Sequence, residues 1–260
     1  MHTWHWRFWN DLPYLTCSLL EPWAHGFFTQ QFWSRSPGEL TRVLHPAAQA
    51  YRLKQVHGNI VLIPSEIEDG AIAPETADEF TPGDGLVTEQ AGQAVWVCSA
   101  DCVPVLIGDV RTGQVSAIHA GWRGTAMKIV PLAIARLQNQ GSTLDDLRIV
   151  LGPAISGEVY QVSEQVALEV GSTIVPIDAA NVTASLETLR QIPNSPILED
   201  PEAGRVRLDV RRVNQLQLEQ LGVAAEQVAI APYCTYQTPE HFFSYRRSRQ
   251  KKAQWSGIVS

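Results

Sequence analysis

Three apolar, β-prone runs, Ala94 to Cys98, Cys102 to Ile107 and Gln114 to His119, follow one another with only short turn-like pieces between them. Runs of this length and composition favour buried strands. The middle of the chain is therefore expected to form a sheet core, which the remaining segments must cover. Further strand signals occur at Tyr14 to Cys17, His25 to Thr29, Arg52 to His57 running on to Ile60–Ile63, Gly85 to Thr88 and Leu147 to Leu151, with closing strands expected at Val228 to Ala231 and Phe242 to Tyr245. Helical patterns cover Thr125 to Gln140, Ser163 to Gly171 and Asp209 to Leu221. Pro131 must either kink the first of these or mark a late start, because it removes a backbone donor. The polar, Pro-containing stretch from Glu66 to Gly83 reads as a surface loop. Irregular alternation of this kind belongs to an α/β or α+β layered fold rather than a regular doubly wound one.

Prolines and glycines are spread through the chain instead of being gathered into a linker, so a single domain over residues 1–260 is expected. A hydrophobic share of 45% lets a chain of this length bury its core without disulfides or structural metals. Twenty basic against twenty-seven acidic residues give a net charge of −7, which argues against a surface built for a nucleic-acid polymer or anionic lipid. The apolar stretch from Ala94 to Ile107 is broken by Ser99, Asp101 and Pro104, well short of the roughly 18 residues of a membrane helix. The aromatic start, Met1 to Trp9, is interrupted by polar residues and lacks the apolar heart of a signal peptide. A soluble, cytoplasmic protein is expected, and in a reducing compartment Cys17, Cys98, Cys102 and Cys234 are thiols, ligands or nucleophiles rather than disulfide partners.

Cys102 and His119 stand at the outer ends of two strands joined by the turn at 108–113. If Gly108 pairs with Gly113, the register sets Cys102 opposite His119 on one face, about 5 Å apart at Cβ. That pair suits either zinc coordination or a Cys/His nucleophile. His57, before the Gly58–Asn59 turn, would complete a three-ligand set of the kind that leaves one position open. After His119, the sequence Ala120-Gly121-Trp122-Arg123-Gly124-Thr125 lets the backbone approach a ligand, and Arg123 is placed to meet an anion. Asp84, Asp101, Arg246 and Arg247 are further polar groups beside apolar strands. Cys17 and Cys98 read as core thiols and Cys234 as structural.

Together, Lys54-Gln55-Val56-His57-Gly58, Ala100-Asp101-Cys102-Val103-Pro104, Ile118 to Gly124, Gly152-Pro153-Ala154-Ile155 and Phe243 to Arg247 resemble the laccase-domain family, whose members are also called multicopper polyphenol oxidases and purine nucleoside phosphorylases. The resemblance implies a four-layer α/β/β/α sandwich with mixed sheets, similar to the catalytic domain of cytotoxic necrotizing toxins. It implies zinc, or copper, on His57, Cys102 and His119. The activity it implies is phosphorolysis of adenosine, inosine, guanosine and methylthioadenosine, with deamination of adenosine, for which a metal that activates water is suited. Asp101 and Arg123 join the three ligands as catalytic candidates, and Arg52, Asp84 and Arg247 are expected to contact substrate. The partners are then nucleosides and phosphate, with the chain a monomer or weak oligomer.

Two departures from the family pattern stand out. Gly157-Glu158-Val159-Tyr160-Gln161 replaces the usual cysteines and glutamate, and Ser248 to Ala253 replaces the usual tail, so specificity can differ. Rival readings are a Cys102/His119 hydrolase editing serine-containing cell-wall precursors, a metal-binding protein without turnover, and a polyphenol oxidase. Seven histidines are few for the last of these.

Overall fold

The computed structural model describes residues 2–67, 80–178 and 180–260. In chain order the strands and helices are β1 (Trp4–Trp9), β2 (Leu12–Cys17), β3 (His25–Phe28), α1 (Pro37–Leu44), β4 (Gln49–Arg52), β5 (Val61–Leu62), β6 (Gly85–Val87), β7 (Gln93–Ser99), β8 (Val103–Asp109) and β9 (Val115–Ala120). Next come α2 (Trp122–Ala126), α3 (Ile129–Asn139), β10 (Leu147–Leu151), β11 (Gln161–Ser163), α4 (Glu164–Gly171), α5 (Val182–Arg190), β12 (Ile197–Glu199) and β13 (Arg205–Leu208). The chain ends with α6 (Val210–Leu221), β14 (Val228–Ile230), α7 (Tyr245–Ser248) and β15 (Gln254–Val259).

Two six-stranded mixed sheets, ordered β1-β2-β3-β15-β7-β4 and β14-β10-β8-β9-β6-β5, form the body, and β11-β13-β12 make a small third sheet. Alternation along the strands decides what each face buries. Leu15, Phe27, Val95 and Val97 of the first sheet meet Leu86, Leu106, Ala117 and Val150 of the second. On the second sheet's other face, Val105, Ile107, Ile118 and Ile149 pack on α3 and α6 through Ile129, Ala133, Leu137 and Val213. On the first sheet's other face, Phe28, Ala94 and Trp96 pack on Leu40 of α1. The result is a mixed α+β fold.

The three central runs therefore do not share a sheet: β7 belongs to the first and β8 and β9 to the second. The chain crosses between them in Ala100-Asp101-Cys102, with Asp101 at φ 103°. This crossing is what carries the chain from the first sheet through Cys102 into the second. The β8–β9 register also differs from expectation, pairing Pro104 with His119 and Gly108 with Val115. The cause is the turn: Asp109 Oδ1 accepts from the Arg111 and Thr112 backbone N–H groups at 2.7 and 2.9 Å, closing the hairpin one residue later. Because the slip is even, Cys102 and His119 keep the same facing parity, as diagonal neighbours instead of direct partners.

The single helix expected over 125–140 is two, broken at Lys128 (φ 57°), and Pro131 lies in the first turn of α3, where no N–H is needed. The strand expected at Phe242–Tyr245 is absent. Ser244 caps α7 by accepting from the Arg247 N–H, and the closing strand is β15, between β3 and β7. Residues 68–79 of the expected 66–83 loop lie outside the described residues.

Gly152, in the Gly-Pro-Ala-Ile motif, passes so close to the first sheet that a Cβ on it would stand 2.1 Å from Phe27 Cε1. Gly152→Ala is expected to lose about 1–3 kcal/mol through overpacking, seen as a Tm lowered by roughly 2–4 °C for each kcal/mol.

Candidate metal centre and active site

The centre is organised around Asp84, which is 0% exposed. One of its oxygens accepts the backbone N–H of His57 at 2.9 Å, and the other accepts those of Val56 and Gly58 at 3.1 and 2.7 Å. The turn at 56–58 is thus wrapped around a buried carboxylate, and His57 takes φ 60° to complete it. Gln55 anchors the approach to this turn: its amide donates to the Cys98 carbonyl and accepts from the Cys98 N–H, both at 2.7 Å. Asp84 also holds His119, whose Nδ1 stands 2.9 Å from Oδ1. Burial pushes the Asp84 carboxyl up, but the hydrogen bonds from His119, Gly58 and Val56 overcome it and keep the group below the usual carboxylate value. An ionised Asp84 needs the proton on Nδ1, which leaves the lone pair of a neutral His119 on Nε2, the nitrogen free to ligate an ion.

His57, Cys102 and His119 offer ligand atoms that all lie within 4.8 Å of one another. The two imidazoles meet edge to face, with ring centres 4.9 Å apart. His119 is buried, Cys102 half-buried and His57 exposed, so the cluster opens to solvent on one side. Gly121 stands against the sulfur: a Cβ there would be 2.9 Å from Cys102 Sγ. Burial alone pushes the Cys102 thiol up, yet the neighbouring His119 and His57 outweigh burial and bring it to about 6. Burial likewise pushes His119 down, and the Cys102 sulfur with Asp84 reverses this to about 9. Cys98 behaves oppositely, pushed up to about 11 chiefly by burial. A thiolate with two imidazoles, one of them oriented by a carboxylate, is a donor set that suits zinc, and copper as second choice.

In protein stripped of metal, Cys102 is therefore expected to be alkylated at neutral pH with a rate that rises through about 6, while Cys98 stays inert until about 11. Mass mapping of iodoacetamide adducts against pH reads both, and a Cys102 midpoint near that of a free thiol would refute the pairing.

Three of the other expected site residues have structural work instead. Asp84, expected to touch substrate, has both oxygens occupied and no exposed surface. Asp101, expected in catalysis, accepts from Thr235 Oγ1 and the Arg246 N–H, each at 2.7 Å, and so ties the crossing loop to α7. Arg247, expected at the substrate, donates to the carbonyls of Thr235, Tyr236 and Phe242 at 2.6, 2.8 and 2.6 Å, clasping the 235–242 segment. The neighbouring Arg246 turns the other way and lies over the Tyr160 ring at 4.8 Å. Burial first, and then the Cys102 sulfur, push the Tyr160 phenol up to about 12, while Arg246 and Arg123 pull it down.

Arg123 is exposed on α2, stacked on Trp122 at 4.4 Å. At five residues α2 is too short to hold itself. From α6, Asn214 donates to Thr125 Oγ1 and Gln217 to the Thr125 carbonyl, both at 2.9 Å and both buried. Arg52 lies at the end of β4, outside the metal cluster, its guanidinium 3.9 Å from the centre of the Phe80 ring. Asn214 and Gln217 had no signal in the sequence as supports of α2, because only the folded chain brings α6 against Thr125.

The family profile described as Multi-copper polyphenol oxidoreductase laccase matches residues 38–259. A purine nucleoside phosphorylase of Synechocystis sp. is 51% identical over 258 residues, 99% of this chain and 97% of that protein. An adenosine deaminase from an unknown prokaryotic organism is 29% identical over 164 residues, 63% of this chain and 56% of that protein. The crystal structure of YlmD from Geobacillus stearothermophilus superposes with a TM-score of 0.81 at 25% identity, covering 98% of each chain.

Proposed function

The chain belongs to the multi-copper polyphenol oxidoreductase laccase family, and on that premise we propose that it is a metal-dependent purine nucleoside phosphorylase that also deaminates adenosine. The observation that carries this reading is the His57, Cys102 and His119 cluster, preset by Asp84, in a chain similar along 99% of its length to a protein of the first name. Adenosine, inosine, guanosine and methylthioadenosine are the proposed substrates, with phosphate as second substrate. Zinc is the proposed ion, with copper possible.

His57, Cys102 and His119 would hold the ion, which when bound supplies a Lewis acid that polarises oxygen and activates water. Asp84 keeps the Nδ1 proton on His119, so that the Nε2 lone pair stays available to the ion. Phosphorolysis builds positive charge on the ribose while an anion approaches, so fixed cations around the opening favour the transition state. Arg123 and Arg246, whose charges act on Tyr160, are the arginines we assign to that role, and Arg247 is held by backbone carbonyls. The Tyr160 phenol, held protonated far above neutrality, is a donor for the departing base. A cytoplasmic protein without membrane attachment fits such metabolites; among the described residues no helix is long and apolar enough to cross a membrane.

The oxidase reading meets a specific obstacle. Of the chain's seven histidines, His57 and His119 form the centre, while His25 is buried between the Cys17 N–H and the Trp23 carbonyl and His241 stacks on Trp6. One Cys/His/His set does not supply a multicopper cluster. The test is chromatography of free bases released from adenosine and inosine, with and without phosphate, before and after chelation and with zinc or copper restored. Phosphate-dependent, metal-restored base release is the expected result. Absence of both base and inosine from the metal-loaded protein would refute the proposal and return cell-wall precursors as the substrates to try.

A further inference from the structure

The short helix α2 lies between the metal centre and α6. Toward the centre it presents glycines. A Cβ on Gly121 would stand 2.9 Å from Cys102 Sγ and 3.6 Å from His57 Cδ2, and one on Gly124 would stand 3.0 Å from the Gly58 carbonyl oxygen and 3.5 Å from that of His119. The backbone of α2 is therefore the wall against which the sulfur, the His57 ring and the 56–58 turn rest. With no side chain between them, a shift of the helix passes straight to the ligands.

Thr125, fully buried, takes the helix's hold on its other side. Its N–H donates to the Gly121 carbonyl at 2.8 Å, so what fixes Thr125 also fixes Gly121. Two amides of α6 do so. Asn214 Nδ2 divides its hydrogens between Thr125 Oγ1 and the Val210 carbonyl, at 2.9 and 2.8 Å, and Gln217 Nε2 divides its own between the Thr125 carbonyl and Thr173 Oγ1, at 2.9 and 2.7 Å. The two residues are 0% and 2% exposed, and Asn214 Oδ1 and Gln217 Oε1 meet no donor among the described residues. For stability alone this is a poor choice. Buried acceptors without donors are unfavourable, whereas apolar groups of the same shape are nearly neutral in such places. Local departures of this kind are expected where a functional geometry has to be held.

We propose that Asn214 and Gln217 are positioning residues of the metal centre: by clasping Thr125 from α6 they seat α2 against Cys102 and His57 and so hold the spacing of the ligands. The proposal rests on the reading of His57, Cys102 and His119 as a metal site and is independent of the reaction assigned to it.

The test needs no turnover. Asn214→Leu combined with Gln217→Met removes the clasp at nearly constant volume, Thr125→Val removes its hydroxyl acceptor, and Thr125→Ser keeps it. In stripped protein at neutral pH, alkylation of Cys102 by iodoacetamide is expected to quicken severalfold in the first two variants as α2 loosens from the sulfur. Their zinc affinity is expected to fall by roughly tenfold, the low end for groups that orient metal ligands. Loaded with cobalt(II) instead, they should show a shifted sulfur-to-cobalt charge-transfer band. Thr125→Ser is expected to match native protein in all three, and Tm to be retained throughout. If the double variant does not fold, Thr125→Val against Thr125→Ser decides. Alkylation rate, zinc affinity and cobalt spectrum that stay native in the folded variants overturn the proposal and make the clasp a packing contact. Native protein that binds no zinc refutes the metal reading instead, and the alkylation rates then still decide whether the clasp seats α2 on Cys102.

Discussion

Cys102→Ala is expected to abolish tight metal binding and to lower base release from inosine by roughly 10³-fold or more, the several kcal/mol that a Lewis acid contributes to such a transition state. Metal analysis on the same samples should show the two losses together. The variant that decides the mechanism is Cys102→Asp. A carboxylate still ligates zinc beside two imidazoles, but it is not a thiol nucleophile. If the sulfur serves as a ligand, Cys102→Asp keeps measurable metal and turnover while Cys102→Ala keeps neither; if it is a nucleophile, both are equally dead.

The substitution also removes a pH dependence from the metal-free protein. The Cys102 thiol lies depressed to about 6 from 9.0, so its stabilisation is complete above the upper value and is lost as pH falls through the lower one. His119 lies raised to about 9 from 6.5, so its stabilisation is complete below 6.5 and is lost as pH rises through about 9. The thiolate and imidazolium therefore support the stripped fold between about 6 and 9, and thermal unfolding against pH should show that maximum in native protein and lose its acid-side limb in Cys102→Ala, where Asp84 still faces His119.

Legibility followed locality. Cys102 and His119 could be brought near each other from sequence because one short hairpin joins them, and the even register slip left their parity intact. His57 had no such hairpin: it was nameable as a third ligand before the Gly58–Asn59 turn, but spacing alone did not bring it to the other two, and the family resemblance strengthened the set. Its placement depends on Asp84, 27 residues on, which was readable as a turn aspartate but not as one that caps a different turn. Arg246 and Arg247 read alike in the sequence. On the short α7 successive residues point about 100° apart, so one reaches Tyr160 and the other clasps three carbonyls. The strand β15 was missed because Lys251 and Lys252 precede it and Gly257 interrupts it. That glycine is a packing demand from Trp96, since a Cβ on it would lie 2.4 Å from the indole. Asn214 and Gln217 looked like ordinary polar helix positions until α6 was seen to reach Thr125.

Asp84→Asn is expected to be the most damaging substitution that leaves every proposed ligand in place. The carboxylate accepts four hydrogen bonds, from His57 N–H and His119 Nδ1 on one oxygen and from Val56 and Gly58 N–H on the other. An amide has one oxygen to offer. Whichever way it turns, its NH₂ faces donors: either the Val56 and Gly58 N–H groups, which opens the turn that carries His57, or the His57 N–H and His119 Nδ1, which drives His119 to the wrong tautomer. Leaving buried partners unsatisfied at such a point lowers stability by about 3–5 kcal/mol, and loss of the group that orients a metal-bound histidine weakens metal binding by about 10–100-fold. Chelator competition for zinc and thermal unfolding of the stripped protein separate the two effects. A lowered Tm with unchanged zinc affinity would make Asp84 a brace for the 56–58 turn alone. Weakened affinity, with turnover recovered at saturating zinc, would show that its carboxylate sets the imidazole that holds the ion.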